Sequence, residues 1–538
     1  MSEPLPALLV VLPILAATLP LAVGLIRERV GWSIAALALT VEAAIAAWLA
    51  YAIYGNGERV VHVLGGDEFG RHETEFEGVT SEFIVGIELV ADALSGAIVL
   101  LIAVVALAVL GFSRRGGPRG NAFYSGYLLL TGGLMGVALT GDLFNMFVFL
   151  EIVGLATYAL VASSDRAESA VAALKYLVIG TAGASLYLVG VGYLYVRTGT
   201  LNMVDVSRSL AGEPGWIEGP LYSDPLVIAA FAFIAVGLAT KAAIYPLHTW
   251  QPDAYAEAPD SVTIYISALV STVSAYAFAR ITWLVFTPEF FAVNPLAIEA
   301  VLVLAGISVL VGSVLAAMQS RVKRMFAYSS VAQFGLIVLA IGIAVHPAGS
   351  ETATELAIYG AVIHLLAHAL IKGGLFATAG TLAAGTGARR VREYAGLAKE
   401  QPYLAGCIAI LGFGIIGVPP TIGFVGKWYI GVSAAHTELW AVVFIVFAST
   451  LLTLVYIARL LEKLYFDYRP EDVPSHAEPS IPVATDGGRR RSLGMIALAI
   501  GATILSVLLG FVGSELTAAL EPIAEAVLTD GPEVGLDD

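Results

Sequence analysis

The stretch LVIAAFAFIAVGLATKAAIY, residues 226–245, is apolar apart from Thr240, Lys241 and its terminal tyrosine, and Pro246 follows it directly. About 20 apolar residues in a row can cross the hydrocarbon core of a bilayer as one helix. Lys241 then lies at membrane depth, where an ammonium group costs roughly 2.5 to 3.5 kcal/mol and needs a partner or a path to water. The stretch therefore predicts a functional site inside a membrane helix that Pro246 interrupts.

The composition of the whole chain is typical of a membrane protein. Hydrophobic residues make up 58% of its 538 residues and charged residues 13%, and the mean hydropathy is +0.84, which excludes an ordinary soluble domain. The apolar runs predict an all-α polytopic fold with about fourteen transmembrane helices. These predicted helices are 5–26, 32–54, 94–112, 123–139, 143–161, 170–195, 227–245, 262–286, 296–318, 325–345, 357–381, 403–430, 439–464 and 493–512.

The predicted helices fall into four regions. These are 1–112 with the first three helices and an acidic outer loop, 123–286 and 296–464 with five helices each, and 465–538 with a cytoplasmic loop, the last helix and an acidic outer tail. Because five is odd, the second copy of a tandem duplication enters the membrane upside down. The two blocks of five therefore predict inverted repeats, an architecture typical of transporters.

Both blocks contain a helix that proline interrupts near a lysine. Lys241 precedes Pro246 in the first block, and Lys427 follows Pro419 and Pro420 in the second. Irregular backbone at membrane depth is tolerated only where protein covers it or water reaches it. The two interruptions predict the centres of two half-channels.

Charged residues predict the orientation and the surroundings of the protein. Most of the 28 basic residues fall in loops that are cytoplasmic when the N-terminus is outside, as membrane proteins prefer. We expect a multi-pass protein of the cell membrane with both termini outside. Acidic residues outnumber basic ones 43 to 28; this argues against nucleic-acid binding and favours a salt-adapted prokaryote, although a solvated surface without a specific partner explains it too.

The sequence predicts no cofactor and no enzymatic centre. Cys407 is the one cysteine, so a disulfide framework and a cysteine-ligated cluster within the chain are excluded. A P-loop and a Rossmann-type glycine fingerprint are absent from the sequence as well. The chain is expected to move ions rather than to catalyse a reaction.

The string HLLAHALIK places His364, His368 and Lys372 at positions i, i+4 and i+8, on one face of a helix. Histidine gains and loses a proton near neutral pH, so this face predicts a proton relay. A histidine pair could bind zinc instead, but no glutamate stands between the two as in H-E-x-x-H and no third ligand is evident. Hydrogen bonds to neighbouring helices are the structural alternative.

Glu151 lies in the middle of the apolar string LFNMFVFLEIVGLATYALV. We expect it to pair with Lys241, because an acid and an ammonium that are desolvated together keep each other charged. A purely structural carboxylate is the alternative.

Five other polar positions are less decisive. Lys175 could extend to the cytoplasmic surface, and Arg280 is expected to anchor the outer end of its helix at the membrane interface. Gln333, with Ser329 and Ser330, could line a water path or bond across helices.

Six strings in this order carry a resemblance to a known family. They are TGDLFNMFVFLE (140–151), LKYLVIG to YLYVRTGTLNM (174–203), LATKAAIYPLHTWQPDAYAEAP (238–259), VKRMFAYSSVAQFG (322–335), IHLLAHALIKGGLFATAG (363–380) and GVPPTIGFVGKWYI (417–430). The chain resembles the D-type subunit of multi-subunit Mrp sodium/proton antiporters. That subunit is similar to the antiporter-like proton-pumping subunits of respiratory complex I and of membrane-bound hydrogenases.

The resemblance implies roles for the buried polar residues and for partners. The glutamate at 151 pairs with the lysine at 241, and a polar axis runs through His364, His368 and Lys372 to Lys427. Other small membrane subunits, protons and sodium ions are the implied partners. One departure matters: the family usually has a lysine or histidine in the eighth span, and Thr272 stands where the lysine would fall. A threonine can bond water but cannot hold the proton.

Two classes of function are therefore expected. One is a proton-translocating subunit of a sodium/proton antiporter, with a redox-coupled pump and a partner in inorganic-carbon uptake as variants. The other is a scaffold that no longer conducts, as the missing lysine suggests. Retention of the buried charges favours transport, because a scaffold gains stability when apolar residues replace them.

Overall fold

A computed structural model describes residues 2–27, 29–64, 70–76, 79–164, 166–213, 219–468 and 492–528, with backbone alone for 70–76 and 79–85. Twelve of its helices are long and apolar enough to span a membrane, and Pro225–Lys241 and Pro402–Ile416 are two shorter apolar helices. The two shorter helices lie at the predicted seventh and twelfth spans, and the all-α polytopic fold is confirmed. The division into four regions remains a prediction, and part of the last region, 469–491 and 529–538, lies outside the described residues.

The α-helices of the described part are numbered in chain order. They are α1 Leu5–Ala16, α2 Leu19–Gly24, α3 Gly31–Asn56, α4 Ala93–Gly116, α5 Asn121–Leu139, α6 Leu143–Val161, α7 Ala167–Thr198, α8 Met203–Ala211, α9 Pro225–Lys241, α10 Gln251–Glu257, α11 Asp260–Ile281, α12 Thr287–Val293, α13 Pro295–Ala317, α14 Val322–Ala344, α15 Glu351–Thr386, α16 Leu397–Glu400, α17 Pro402–Ile416, α18 Ile422–His436, α19 Trp440–Phe466, α20 Leu493–Phe511 and α21 Gly513–Leu528. A π-helix, Thr282–Phe286, continues α11, and 3-10 turns lie at Leu221–Ser223, Leu247–Trp250 and Val391–Tyr394.

The strings TGDLFN and TGTLNM begin helices. The Asp142 carboxylate accepts a hydrogen bond from the Asn145 amide, 2.6 Å away, at the start of α6. The Asn202 side chain accepts one from the Val204 amide, 2.9 Å away, at the start of α8. Asp142 and Asn202 also pair through an isolated β-bridge. Side-chain oxygens at N-caps satisfy amides that the first helical turn leaves free, so the two strings fix where these helices start.

Four short strands lie between α3 and α4, where no secondary structure was predicted. They are β1 Val60–Leu64, β2 Gly70–Phe76, β3 Val79–Val85 and β4 Ile87–Ala91. β1 pairs with β4 and β2 with β3, both antiparallel. Segments such as VVHVL and IELVA are rich in β-branched residues, which favour strands, but they are too short to stand out in a chain dominated by helical runs.

The core of the described structure is formed by α11, α14 and α15. Every residue of α11 from Ser261 to Ile281 is buried, whereas α3, α19 and α20 expose large apolar side chains such as Trp48, Phe444 and Leu508. Glycine lets α7 and α9 approach closely, because a Cβ on Gly237 would stand 2.7 Å from the Gly183 carbonyl oxygen. Small residues at such crossings are typical of membrane helices.

Several helix limits differ from the prediction, and three of the differences are informative. α9 ends at Lys241 rather than at residue 245, since a residue before proline disfavours helical backbone and Ala243 has a positive φ of 60°. The predicted helix 403–430 is two helices, α17 and α18, on either side of the proline pair. α21 occupies much of the predicted acidic tail, and it buries Leu520, Ile523, Ala524 and Val527.

Candidate functional site

The first half of the site is an ion pair between α9 and α6. Lys241 Nζ lies 2.9 Å from Glu151 Oε1, and the lysine side chain is 6% exposed and that of the glutamate 23%. The interruption after α9 places Lys241 at the last turn of that helix, where the open carbonyl ends favour a cation. The pair expected from the sequence is formed, and the Glu151 side chain is partly exposed.

Two stacked aromatic rings pack against the end of the interrupted helix beside this pair. The Trp250 indole stacks on Tyr176 with ring centroids 3.8 Å apart, and its Nε1 donates to the Thr240 carbonyl oxygen at 2.9 Å. Gly154 leaves room for the ammonium, because a Cβ there would stand 3.3 Å from Lys241 Nζ. The position of Lys241 is therefore set by contacts from three different segments.

The second half of the site lies along α15. His364, His368 and Lys372 are 3%, 2% and 0% exposed. His364 Nε2 lies 2.9 Å from Gln333 Oε1, and Lys372 Nζ donates to the Phe326 carbonyl oxygen at 2.9 Å. Both contacts cross to α14. The predicted face is thus turned into the protein and not towards lipid.

His368 differs from its two neighbours on this face. Its ring centroid lies 4.3 Å from that of Phe334, and neither ring nitrogen has a hydrogen-bond partner among the described residues. Buried polar atoms are nearly always bonded to protein or to ordered water, yet both ring nitrogens of His368 are left without a hydrogen bond to the described residues.

Lys427 completes the second half from the other interrupted helix. Its Nζ donates to the carbonyl oxygens of Ile415 and Ile416, both at 3.0 Å. These carbonyls belong to the last turn of α17, which the interruption leaves without helical partners. Lysine binds the negative end of a helix there, and the lysine is 5% exposed.

Thr272 lies in α11 between the two halves. It is wholly buried, and its hydroxyl has no hydrogen-bond partner in the described part of the chain. The helix packs against α9 of the first half and against α14 and α15 of the second.

The sequence left the role of Gln333 open. In the structure its amide oxygen contacts His364 of α15. Its two companions lie elsewhere: the Ser329 hydroxyl lies 2.6 Å from that of Tyr456, and Ser330 bonds the Phe326 carbonyl of its own helix.

Arg280 corrects a prediction. An interface anchor would extend to the lipid headgroups, but Arg280 is 6% exposed and its Nη1 lies 2.8 Å from Asp92 Oδ2. Asp92 also caps α4 by accepting from the Ser95 amide at 2.8 Å. The arginine therefore joins α11 to the start of α4, a contact that spacing along one helix could not predict.

The basic residues predicted on the cytoplasmic side meet three acids of α10 and α11. Glu257 binds Arg166 at 2.9 Å, and Arg321 as well. Lys323 lies 3.1 Å from Asp260. The remaining pairs at this end are Lys175 with Asp253 at 2.7 Å, Arg324 with Asp253 at 3.0 Å and Arg389 with Asp260 at 3.5 Å. This end is thus a set of paired charges, and Lys175 belongs to it rather than to the buried axis.

Sequence reasoning missed two buried polar groups. Glu42 in α3 is wholly buried, and neither carboxylate oxygen has a hydrogen-bond partner within the described residues; an acid in an apolar run was the same signal that drew attention to Glu151. Gln251 at the start of α10 is also wholly buried. Its position shortly after a helix interruption could have marked Gln251 as a buried polar residue.

Metal binding was the alternative for the histidine pair. Across the part of the chain that the structure describes, no group of three His, Cys, Asp or Glu residues could hold a metal ion. His364 and His368 therefore have no third protein ligand there.

Comparison with known proteins decides the family. Residues 140–453 match the family model described as NADH:quinone oxidoreductase/Mrp antiporter, TM. The chain belongs to this family. It is a multi-pass membrane protein, and the seven candidate residues from Glu151 to Lys427 all lie within the matched region.

Members of the family with different names are similar to the chain. The chain is 41% identical over 435 residues to the NADH-quinone oxidoreductase subunit N of Desulforudis audaxviator. The aligned residues cover 78% of this chain and 82% of that protein. The chain is 31% identical over 449 residues to the D-type subunit of the Na(+)/H(+) antiporter of Bacillus subtilis, over 82% of this chain and 84% of that one. A chain in the structure of the Mrp complex from Dietzia sp. has the same fold, with a TM-score of 0.83 over 98% of this chain and 97% of that chain, at 23% identity.

Proposed function

We propose that the chain is the proton-translocating membrane subunit of a multi-subunit sodium/proton antiporter. It is a transport subunit and not itself an enzyme. The proposed path consists of Glu151, Lys241, Thr272, His364, His368, Lys372 and Lys427. Its partners are other small membrane subunits, protons and sodium ions.

The observation that carries the proposal is the contact between Glu151 and Lys241 at membrane depth. A pair of this kind has two arrangements: closed, as at 2.9 Å here, and open, with the lysine released towards the next group. In a medium of low dielectric constant the two differ strongly in the field that they impose on nearby charges. Opening the pair can therefore drive a proton along the axis.

The buried charges argue against the scaffold. Lys372 and Lys427 are 0% and 5% exposed, and each binds backbone carbonyls rather than an acid. Replacing a buried ion by an apolar residue of similar volume is often neutral or stabilising. A scaffold would have no reason to retain two such lysines.

The paired charges near Glu257 support an orientation with this end in the cytoplasm. Basic residues collect on that side of membrane proteins, and both termini are then outside. The acidic excess of 43 against 28 supports a salt-adapted host.

A redox-driven proton pump is the second candidate. The observation that favours it is the higher identity to the oxidoreductase relative, 41%, than to the antiporter relative, 31%. The two candidates use the same path within this chain and differ in what drives it.

Inside-out membrane vesicles that contain the chain with the subunits encoded beside it can separate the candidates. A pH-sensitive dye should report proton release from the vesicles on addition of sodium if the complex is an antiporter. Acidification that needs NADH or another reductant and ignores sodium would instead support the redox pump. Glu151→Ala and Lys241→Ala should each abolish the signal while the complex still assembles.

Lys463→Ala is the matched control, because Lys463 pairs with Asp467 at the exposed end of α19. It should leave transport unchanged. Parental transport in both the Glu151 and the Lys241 variant would rule out the proposed path, and a complex that responds neither to sodium nor to a reductant would support the scaffold.

A further inference from the structure

A polar cluster in the middle of the protein joins α10 to α11. Gln251 Nε2 donates hydrogen bonds to the Tyr255 hydroxyl and to Ser271 Oγ, both at 3.1 Å. The two hydroxyl oxygens are 3.4 Å apart. All three side chains are wholly buried, so the cluster forms a set of exchangeable protons away from bulk water.

The cluster lies between the two halves of the site. On one side Trp250, the residue before Gln251, donates to the Thr240 carbonyl beside Lys241. On the other side the Tyr255 ring centroid is 5.8 Å from that of Phe376, which lies one turn after Lys372 on α15. The cluster thus occupies the interval between the two lysines.

Ser271 and Thr272 point to different faces of α11. Ser271 faces α10 through its bond to Gln251. A Cβ on Gly373 of α15 would stand 3.5 Å from the Ala268 Cβ, and Thr272 lies one turn after Ala268 on the same face. A Cβ on Gly380 would stand 3.1 Å from the Asp260 Cβ, so α11 and α15 run antiparallel. Thr272 therefore faces α15 about one turn from Gly373, towards His368.

Two acceptors at this point have no partner among the described residues, namely Gln251 Oε1 and Thr272 Oγ1. Buried polar atoms are nearly always bonded to protein or to ordered water, and one buried water bonds about three such groups. Unpaired acceptors beside both faces of α11 indicate that water joins Ser271 to Thr272.

We propose that Ser271, Tyr255 and Thr272 form an uncharged proton relay that connects Lys241 with Lys372, with Gln251 holding two of its hydroxyls in place. This inference rests on the proposed function and names the link that replaces the family's lysine in α11. Lys241 gives a proton to a water beside it, and that water passes a proton to the Ser271 oxygen while the Ser271 O–H bond breaks. The released proton passes through water beside Thr272 to the neutral amine of Lys372. One proton enters and one leaves, and hydroxyl rotation restores the first state.

An uncharged relay suits the charges around it. An ammonium on α11 between Lys241 and Lys372 would repel both, and the repulsion is large where the dielectric constant is low. Hydroxyls and water transfer a proton without storing the charge. Gln251 is a positioning residue, because an amide donates and accepts hydrogen bonds but does not titrate.

The test uses vesicles with the assembled complex. Ser271→Ala and Tyr255→Phe should each slow proton transport by about tenfold, and the double variant should be slower still. Ser274→Ala is the matched control, since the buried Ser274 hydroxyl bonds the Val270 carbonyl of its own helix at 2.9 Å. It should keep the parental rate.

A conservative variant separates a relay from packing. Ser271→Thr keeps a hydroxyl at this position and should keep transport to within about threefold of the parent, in contrast to Ser271→Ala. Parental rates in Ser271→Ala and Tyr255→Phe, or equal slowing by Ser274→Ala or by Ser271→Thr, would each overturn the relay. Lys241→Ala in the same membranes distinguishes the failures: if it too leaves transport intact, the proposed function fails; if it abolishes transport, only the relay fails.

Discussion

The two halves of the buried axis hold their lysines in different ways. In the first half Lys241 binds a carboxylate, Glu151, at 2.9 Å. In the second half Lys372 and Lys427 bind only backbone carbonyls in the described structure, at 2.9 Å and 3.0 Å. A lysine that faces an acid resists the loss of its proton, because the acid would be left unpaired. A lysine that faces carbonyl dipoles can become neutral at lower cost.

This difference suggests a division of labour. Under the proposed function, the ion pair of the first half opens and closes and so changes the field along the axis. The lysines of the second half then take up and release the proton. The lysine of the first half needs to keep its charge, whereas the lysines of the second half need to exchange a proton. Substitutions that keep the charge but prevent proton exchange can test this.

The largest effect is expected where the ion pair is reversed. Glu151→Lys places two ammonium groups in contact, so it should abolish transport and lower the melting temperature of the purified complex. Adding Lys241→Glu restores opposite charges and should recover the melting temperature. Dye-detected transport and thermal melting measure the two effects. A double variant that melts as low as the single one would show that the pair does not stabilise the closed arrangement.

Arginine substitutions should affect the two halves unequally. Arginine keeps its donors but stays protonated in proteins, so Lys427→Arg should slow transport by about 100-fold with little change in melting temperature. Lys241→Arg keeps the pair with Glu151 and should retain a measurable fraction of transport. The initial rate per assembled complex is the measurement. Equal loss in both variants would contradict the division of labour.

The smallest of these effects is expected at the two histidines. Glutamine can satisfy a hydrogen bond across a helix interface but cannot relay a proton, so His364→Gln and His368→Gln should each slow transport by about tenfold at every pH tested. The melting temperature should change little, least for His368, because its ring nitrogens have no hydrogen-bond partner among the described residues. Lower stability with unchanged transport per folded complex would make the histidines structural.

Much of the site could be predicted because buried charge is conspicuous in an apolar sequence. Lys241 and Glu151 stood out in runs that otherwise contain apolar residues, and the spacing of His364, His368 and Lys372 placed them on one helical face. Arg280 was predicted wrongly for the same reason: its place near a helix end suggested an interface anchor, whereas Asp92, 188 residues away, holds it inside.

The sequence by itself determined the membrane class, the number of spans and the presence of two interrupted helices, because these follow from local hydropathy and proline chemistry. Only the tertiary structure decided which groups each charge meets. Lys241 pairs with Glu151, which lies 90 residues away in the chain. Lys427 binds carbonyl oxygens that lack helical partners because α17 ends there, and Gln251 bonds Ser271 across a helix interface. Such contacts arise when folding brings distant segments together, and helical spacing and composition carry no record of them.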